Sequence, residues 1–365
     1  MNTNGIKPLV IGDLVASIPI VQGGMGVGIS LSGLASAVAA EGGIGVIAAA
    51  GIGMLEPDGY TNFLEASKRA LRNEIKKARE LTSGIIGVNI MVALSNFADL
   101  AAESIKQDID VIFSGGGLPL HLPRYLDKGC RTRLVPIVSS PRAARIICKK
   151  WLDVYNYLPD GVVVEGPMAG GHLGFKKNEL DDPGQSLENL VPAVKKELEP
   201  FEEIKQAPIP LIAGGGIFSG ADIYKFMQLG ASGVQMATRF VATHECDAAI
   251  EFKKVYVAAN PEDTVIIASP VGMPGRALKN KFIEDVNAGN KKPFKCPYHC
   301  ITTCKHKDSP YCIALALLNA QRGKLNHGFA FAGKSVHRVK EILSVKDLIA
   351  SLMEEYRLAA QAGVI

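Results

Sequence analysis

Short apolar runs that end in glycine or polar residues recur through residue 240 of this 365-residue chain, and they constrain its fold more than any other feature. Parallel strands covered on both faces form nearly continuous β-branched runs. Segments with helical periodicity separate the runs, a pattern typical of βαβ units with right-handed crossovers. The predicted strands are PIVQGG at 19–24, IGVIAA at 44–49, IIGVNIM at 85–91, VIFSGG at 111–116, LVPIVS at 134–139, VVVEG at 162–166, IPLIAG at 209–214 and VQMATRF at 234–240.

Eight such units predict a closed (β/α)8 TIM barrel, with an open doubly wound sheet as the alternative. The pattern changes after Phe240, where helical stretches and a cysteine-rich patch follow. We therefore expect three parts. Residues 1–240 form the barrel, residues 241–343 a mainly helical cap with the patch at 296–312, and residues 344–365 a C-terminal helix that packs on the barrel.

Charge and hydropathy exclude several classes of partner. The chain has 40 Lys and Arg against 36 Asp and Glu, and no basic block long enough to follow a phosphate backbone, so nucleic acid is not expected. Its most apolar stretch, residues 34–52, is interrupted by glycines and by Glu41, which disfavours a membrane span. The N-terminus lacks a signal-peptide pattern. We expect a cytoplasmic protein with a small-molecule substrate and leave a homodimer open.

Glycines after the seventh strand suggest a phosphate site. In a TIM barrel, the loops after strands seven and eight often bind phosphate through backbone N–H groups and a short helix N-terminus. Gly214–Gly216 stand at the end of strand seven, with Ser219 or Asp222 as the N-cap of the following helix, and Gln235 and Thr238 lie on strand eight. The alternative is a tight turn that needs only the conformational freedom of glycine.

His172 follows Gly170 and Gly171 near the end of the sixth strand. A histidine moves protons at neutral pH, and a glycine loop at this face of a barrel would present it to a ligand. The alternative is a loop histidine that only caps a turn. Glu165, at the end of the same strand, either faces the site or pairs with an arginine.

Four cysteines follow the spacing C-x3-C-x3-C-x7-C, with two histidines between them. Thiols this dense in a chain without secretory features indicate metal binding more than disulfides. The spacing matches neither zinc-ribbon pairs nor common ferredoxin runs, so an iron–sulfur cluster, zinc and a reduced structural patch stay open. The candidate ligands are Cys296, Cys300, Cys304 and Cys312.

The run EGPMAGGHLGF at 165–175 resembles the AGGHxG signature of the nitronate monooxygenase family, formerly called 2-nitropropane dioxygenases. That family also includes FMN-dependent enoyl-acyl carrier protein reductases. Four further segments match the family in order over roughly residues 10–285: Gln22–Met25, Gly87–Asn89, Gly214–Ile217 and Gly233–Phe240. The eighth strand departs from the pattern, because Ala237 stands where many members have glycine.

The resemblance implies a TIM barrel with non-covalently bound FMN and His172 as the catalytic histidine. It implies oxidation of alkyl nitronates with O2, with His172 as a base or a polarising group. The alternative is an FMN enoyl reductase that uses NADH or NADPH, and a different class is a flavin-free phosphate-binding isomerase or synthase. The cofactor-binding residues on this interpretation are Gly23, Gly24, Met25, Asn89, Glu165, Gly171, Gly214, Gly215, Gly216, Gln235, Met236 and Thr238.

Overall fold

The computed structural model describes residues 5–290 and 296–363. Residues 1–4, 291–295 and 364–365, which belong to the expected barrel, cap and C-terminal helix, lie outside the described residues. The strands are β1 (Leu9–Ile11), β2 (Leu14–Ala16), β3 (Ile20–Gln22), β4 (Ile44–Ala48), β5 (Ile85–Met91), β6 (Val111–Gly115), β7 (Arg133–Val138), β8 (Val162–Glu165), β9 (Gly171–His172), β10 (Leu211–Gly214), β11 (Gly233–Met236), β12 (Thr264–Ala268) and β13 (Pro274–Leu278). The α-helices are α1 (Ser32–Ala40), α2 (Phe63–Leu81), α3 (Phe97–Lys106), α4 (Pro141–Tyr155), α5 (Leu187–Lys205), α6 (Gly220–Gln228), α7 (Thr238–Val241), α8 (Ile250–Val257), α9 (Lys281–Asn287), α10 (Ile313–Gln321) and α11 (Val345–Ala362).

Eight parallel strands close into a barrel in the order β10-β11-β3-β4-β5-β6-β7-β8. Each strand of the barrel corresponds to one of the eight predicted runs, so the (β/α)8 prediction is confirmed. α-Helices connect successive strands of the barrel on the outside, except between β6 and β7, where the connection contains only a short 3-10 helix, Leu122–Tyr125. The carboxyl ends of all eight strands therefore meet at one face.

The eighth strand is shorter than predicted. The run 234–240 was expected to be extended throughout, but β11 ends at Met236. The backbone leaves the β region at Ala237, whose carbonyl accepts hydrogen bonds from the N–H groups of Phe240 and Val241. Thr238 therefore begins a helical turn at the rim of the barrel, and it is not a strand residue.

A hairpin closes the amino end of the barrel. Strands β1 and β2 pair antiparallel, and the side chains of Leu9 and Ile11 are fully buried. They pack against residues that point into the barrel, among them Val21, Val46 and Phe113. The interior is a packed hydrophobic core at this end, which leaves only the opposite face open to a ligand.

The outer helices form where apolar residues recur at helical spacing. In α4, Ser140 caps the N-terminus by accepting a hydrogen bond from Ala143 N–H. The buried positions Ala144, Ile147, Cys148 and Trp151 lie three or four residues apart and face the barrel. The apolar periodicity of this segment made the helix predictable from the sequence, whereas the cap is seen only in the structure.

The region after the barrel contains helices α8 and α10, where helical stretches were expected, together with helix α9 and a hairpin that the sequence analysis missed. Strands β12 and β13 pair antiparallel, and β13 also pairs with β9, where Gly275 lies opposite His172. The β-branched residues Thr264–Ile267 were a signal for a strand. The cap therefore combines helices with a small sheet that reaches the carboxyl face of the barrel.

The C-terminal helix α11 packs against α6 at close range. A Cβ atom on Gly220 would lie 2.1 Å from the carbonyl oxygen of Leu352, so only glycine permits this approach. The N–H of Gly220 donates to the Glu355 carboxylate.

Among the described residues, no helix is both long and apolar enough to cross a membrane.

Asp247 caps helix α1 from a distant part of the chain. Its carboxylate accepts hydrogen bonds from the N–H groups of Leu31, Gly33 and Leu34, at 2.8, 3.2 and 3.2 Å. The N-cap residue of α1, Leu31, has no side chain able to do this. A segment after the barrel thus supplies the missing cap.

We expect the Asp247→Ala variant to lose ~0.5–2 kcal/mol of unfolding free energy, the usual cost of an N-cap, because the N–H groups of α1 lose their acceptor. Denaturant unfolding followed by far-UV circular dichroism measures this loss. The control is Asp153→Ala, an exposed position on α4, with an expected change within ~0.5 kcal/mol. Equal stability of the two variants would contradict the prediction.

Candidate active site

A cavity of about 270 Å³ opens at the carboxyl end of the barrel. The structure brings to it every residue proposed from the sequence for catalysis or cofactor binding except Gly214, which lies in strand β10 and does not line the cavity. Because these residues come from five different strand ends, only the closed barrel places them together. Those that line the cavity are Gly23, Gly24, Met25, Asn89, Glu165, Gly171, His172, Gly215, Gly216, Gln235, Met236 and Thr238.

One side of the cavity has glycine where a side chain would not fit. A Cβ atom on Gly24 would lie 2.3 Å from the Cβ atom of Asn89. At the end of β10, Gly215 and Gly216 have φ angles of +91° and +94°, a region that favours glycine. A Cβ on Gly216 would lie 2.9 Å from the Cβ of Met168. These glycines keep the backbone accessible to a ligand.

Three polar side chains face the cavity without a protein partner. Among the described residues, none donates or accepts a hydrogen bond with the side chains of Asn89, Glu165 or Gln235. Buried polar groups are normally hydrogen-bonded, because an unpaired group loses its interaction with water. Their positions on β5, β8 and β11 therefore suit a ligand with polar groups along its edge.

The loop after β10 leads into α6 through a capping box. Ser219 is the N-cap, and its hydroxyl accepts a hydrogen bond from Asp222 N–H, as predicted for one of the two candidates. The Asp222 carboxylate in turn binds the N–H groups of Phe218 and Ser219. Those two N–H groups are therefore occupied, and the glycines before them supply the amides that a ligand can reach.

His172 is held by contacts on two sides. Its Nε2 lies 2.7 Å from the hydroxyl oxygen of Ser269, and the ring of Phe331 meets its ring edge-on with centroids 5.0 Å apart. The backbone of His172 is fixed by pairing with β13. Arg276 on the same strand donates to the carbonyls of Pro167 and Ala169, which holds the glycine loop before His172.

Burial shifts the pKa values of His172 and Glu165, which both line the cavity, in opposite directions. It lowers the pKa of His172 to about 4, because a charged imidazole would lose its hydration. It raises the pKa of Glu165 to about 7 for the same reason. Both shifts favour the uncharged form of the side chain, the neutral imidazole of His172 and the protonated carboxyl of Glu165. Ionisable side chains with pKa values shifted in this way are typical of functional sites.

Comparison with known proteins places the chain in a family. The sequence profile described as nitronate monooxygenase matches residues 8–116 and 109–355, which is most of the chain. The chain belongs to the nitronate monooxygenase family. This confirms the resemblance carried by the segments around Gly24, Asn89, His172 and Gly215.

Individual relatives agree with the family assignment. The chain is 25% identical over 372 residues to a probable nitronate monooxygenase of Bacillus subtilis, covering 92% of this chain and 95% of that protein. It is 27% identical over 274 residues to a (3aS,4S,5R,7aS)-5-hydroxy-7a-methyl-1-oxo-octahydro-1H-indene-4-carboxyl-CoA dehydrogenase of Mycobacterium tuberculosis, covering 75% of this chain and 66% of that protein. The structure of FabK from Thermotoga maritima is 28% identical, with a TM-score of 0.73 over 95% of this chain and 96% of that one.

The nitronate monooxygenase family consists of flavin-dependent oxidoreductases, and this chain is an oxidoreductase of that family. The alternative of a flavin-free isomerase or synthase is therefore wrong. For a member of the nitronate monooxygenase family, the geometry of the cavity limits which substrates can bind.

Sequence reasoning missed the cavity wall that the cap supplies. Tyr256, Leu317 and Phe331 line the cavity from segments beyond the barrel. The Tyr256 hydroxyl donates to the carbonyl of Phe331, which fixes the position of that ring. No motif marks these residues in the sequence, because their role depends on how the cap folds over the barrel.

The cysteine patch lies apart from this cavity, around a small cavity of its own together with His299 and His306. All four thiols are free, and among the residues that the structure describes, no group of three or more His, Cys, Asp or Glu side chains is placed to hold a metal ion. The zinc or iron–sulfur prediction thus finds no support. Burial raises the pKa of Cys300 to about 12, and this side chain packs against Val27 and Leu318, which favours a structural patch.

Proposed function

We propose that this nitronate monooxygenase family member binds FMN in the barrel cavity and oxidises alkyl nitronates with O2. The observation that carries the proposal is the combination, in one cavity, of glycine-lined strand ends and the side chain of His172. The family assignment supports a flavin, and the phosphate-type loop after β10 supports FMN.

The residues present fit the isoalloxazine ring of FMN. Gly23 and Gly24 have no side chain to block a flat ring, and Met25 lies beside them in the cavity wall. The unpartnered amides of Asn89 and Gln235 offer donors and acceptors to the polar edge of such a ring. We propose that Glu165 and Gly171 complete this part of the site.

The phosphate of FMN is proposed to lie at the rim formed by β10 and β11. The positive φ angles of Gly215 and Gly216 leave their backbone open to an anion. Thr238 begins the short helix α7, and its hydroxyl oxygen accepts a hydrogen bond from Gly333 N–H while keeping its own proton to donate. Met236 is buried beneath this rim, and Gly214 contributes through the strand that supports it.

Bound FMN supplies the redox chemistry, and the protein supplies orientation and proton handling. We propose that His172, which lines the cavity, holds a proton or polarises an oxygen atom of the substrate. Met91, Leu317 and Phe331 give the cavity an apolar wall, which excludes water and suits an alkyl chain. A small nitronate, with a charged head and an apolar tail, matches both features.

A second function has a specific observation in its favour. One relative is named as a dehydrogenase of a carboxyl-CoA compound, and the apolar wall would also suit an acyl chain. On this alternative, NADH or NADPH supplies electrons, and the protein reduces the activated double bond of an enoyl thioester while His172 polarises its carbonyl.

Under either alternative, the partner is a small molecule, and we propose a cytoplasmic enzyme with no nucleic acid or membrane partner. The nearly balanced charge, 40 basic against 36 acidic residues, supports this proposal. A homodimer is proposed as its assembly, to be tested by light scattering.

We expect the purified protein to be yellow and to release FMN, and not FAD, on denaturation. Under anaerobic conditions, an alkyl nitronate is expected to bleach the flavin absorbance, and air is then expected to restore it with release of nitrite. Bleaching by NADH or NADPH but not by the nitronate would favour the enoyl reductase. A colourless protein that takes up no flavin would overturn both functions.

A further inference from the structure

Ser269 contacts the ring of His172 and has no role in the function proposed above. It follows β12 directly and is 8% exposed. Its backbone belongs to the turn of the β12–β13 hairpin, where its N–H donates to the carbonyl of Met273 and its carbonyl accepts from Gly272 N–H. The turn thus fixes the position of a hydroxyl 2.7 Å from His172 Nε2.

The surroundings of the hydroxyl determine which atom donates. The N–H of Val271 donates to the Ser269 oxygen at 3.2 Å. A serine hydroxyl has one proton to donate and two lone pairs. Among the described residues, His172 Nε2 is the one partner that can accept that proton. When the hydroxyl donates to Nε2, its proton and one lone pair both have protein partners, and the proton of the neutral ring is then on Nδ1.

We propose that Ser269 is a positioning residue that holds His172 in its Nδ1–H tautomer, so that the ring offers an N–H donor to the ligand. The Nδ1 atom has no protein partner among the described residues and is the nitrogen left to meet a ligand, since His172 lines the cavity. The tautomer of His172 does not depend on the proposed function, and only the choice of substrate drawn from it rests on that function.

The tautomer selects a class of substrate. Removing a C–H proton from a neutral nitroalkane requires a lone pair on the ring nitrogen that faces it, and Nδ1–H has none. An oxygen that is already anionic, as in a nitronate, or a carbonyl oxygen accepts a hydrogen bond from Nδ1–H directly. The arrangement therefore favours preformed nitronates, or carbonyl-activated compounds, over neutral nitroalkanes.

The cysteine-rich segment stabilises this arrangement. Thr303, between Cys300 and Cys304, donates its hydroxyl proton to the carbonyl of Val271 at 2.6 Å. The N–H of the same residue, Val271, donates to Ser269. These hydrogen bonds connect the cysteine-rich segment to Ser269, and so to His172, through the backbone of Val271.

The tautomer can be measured without turnover. The flavin-loaded protein is labelled with 15N-histidine, and the signals of His172 among the 7 histidines are assigned by their loss in His172→Gln. We expect the Nε2 chemical shift of an unprotonated nitrogen and the Nδ1 shift of a protonated one. The reverse assignment would overturn the proposal. The tautomer measurement does not depend on turnover. A protein that turns over no nitronate would overturn the proposed function, but it would leave the tautomer result unchanged.

Variants of Ser269 test the consequence for substrates. In Ser269→Ala, we expect a mixture of both tautomers and a ~3–10-fold fall in the ratio of kcat/KM for propyl-2-nitronate to that for 2-nitropropane, the factor that one hydrogen bond provides. Ser269→Thr keeps the hydroxyl and is expected to restore both readouts. The control, Ser104→Ala, removes a buried serine hydroxyl on α3 that bonds the Leu100 carbonyl. Unchanged tautomer and ratio in a folded Ser269→Ala protein would overturn the role of Ser269.

Discussion

Replacing His172 with alanine is expected to leave the flavin content unchanged and to lower turnover by ~10²–10⁴-fold, the usual contribution of a positioned proton donor or acceptor. The flavin content should persist because the proposed FMN contacts come from residues other than His172, most of them on other strands. Turnover should fall because, among the residues that the structure describes, no other imidazole lines the cavity. The measurements are the flavin-to-protein absorbance ratio and steady-state kinetics with a nitronate.

A matched control for this variant is His121→Ala. His121 is exposed, outside the cavity, and its Nδ1 contacts the hydroxyl of Tyr155. We expect its turnover to stay near that of the unmodified protein. If His172→Ala also kept near-normal turnover, His172 would be a structural residue of the loop and the mechanism would need another proton donor.

The Gly215→Ala variant is expected to bind FMN ~5–150-fold more weakly, corresponding to ~1–3 kcal/mol of backbone strain. Gly215 has a φ angle of +91°, and a Cβ there would lie 2.8 Å from the carbonyl oxygen of Gly166 and 3.1 Å from the Cβ of Ala169. The loop must move to relieve these contacts, which displaces the backbone that we propose holds the phosphate. Fluorescence titration of the flavin-free protein with FMN measures the affinity.

The control for this prediction is Gly129→Ala. Gly129 has a φ angle of +88°, but no atom lies within 4 Å of the position of its Cβ. This variant has a comparable backbone strain without a contact in the site, so its FMN affinity should not change. Equal FMN affinity in the two variants would show that Gly215 is not part of the phosphate site.

Much of the site was predictable because strand ends carry local signals. Asn89 is a polar residue within an apolar run, and His172 follows two glycines near a strand end, so both stood out without any structure. The prediction of a barrel also predicted that these two residues lie close together, because the strand ends of a closed barrel meet at one face. The choice between Ser219 and Asp222 as N-cap was not predictable, because both side chains suit the position and the structure shows them bonded to each other.

The cysteines show where spacing fails as a signal. Positions 296, 300, 304 and 312 suggested ligands, and the structure does bring these thiols around one cavity. Metal binding depends on distances and angles between ligand atoms, which sequence spacing does not define in an irregular segment. The described residues contain no metal-binding group, so this prediction found no support.

The sequence by itself determined the barrel, its strand count and the residues at its open face, because hydrophobic periodicity and glycine position act locally along the chain. Only the tertiary structure decided what meets those residues from the cap. Ser269 lies 97 residues after His172, yet their side chains share a hydrogen bond, and Phe331 completes the contact from still further along the chain. Such contacts arise from how a hairpin and a helical cap pack on the barrel, and the free energy of that packing is spread over many residues without leaving a motif.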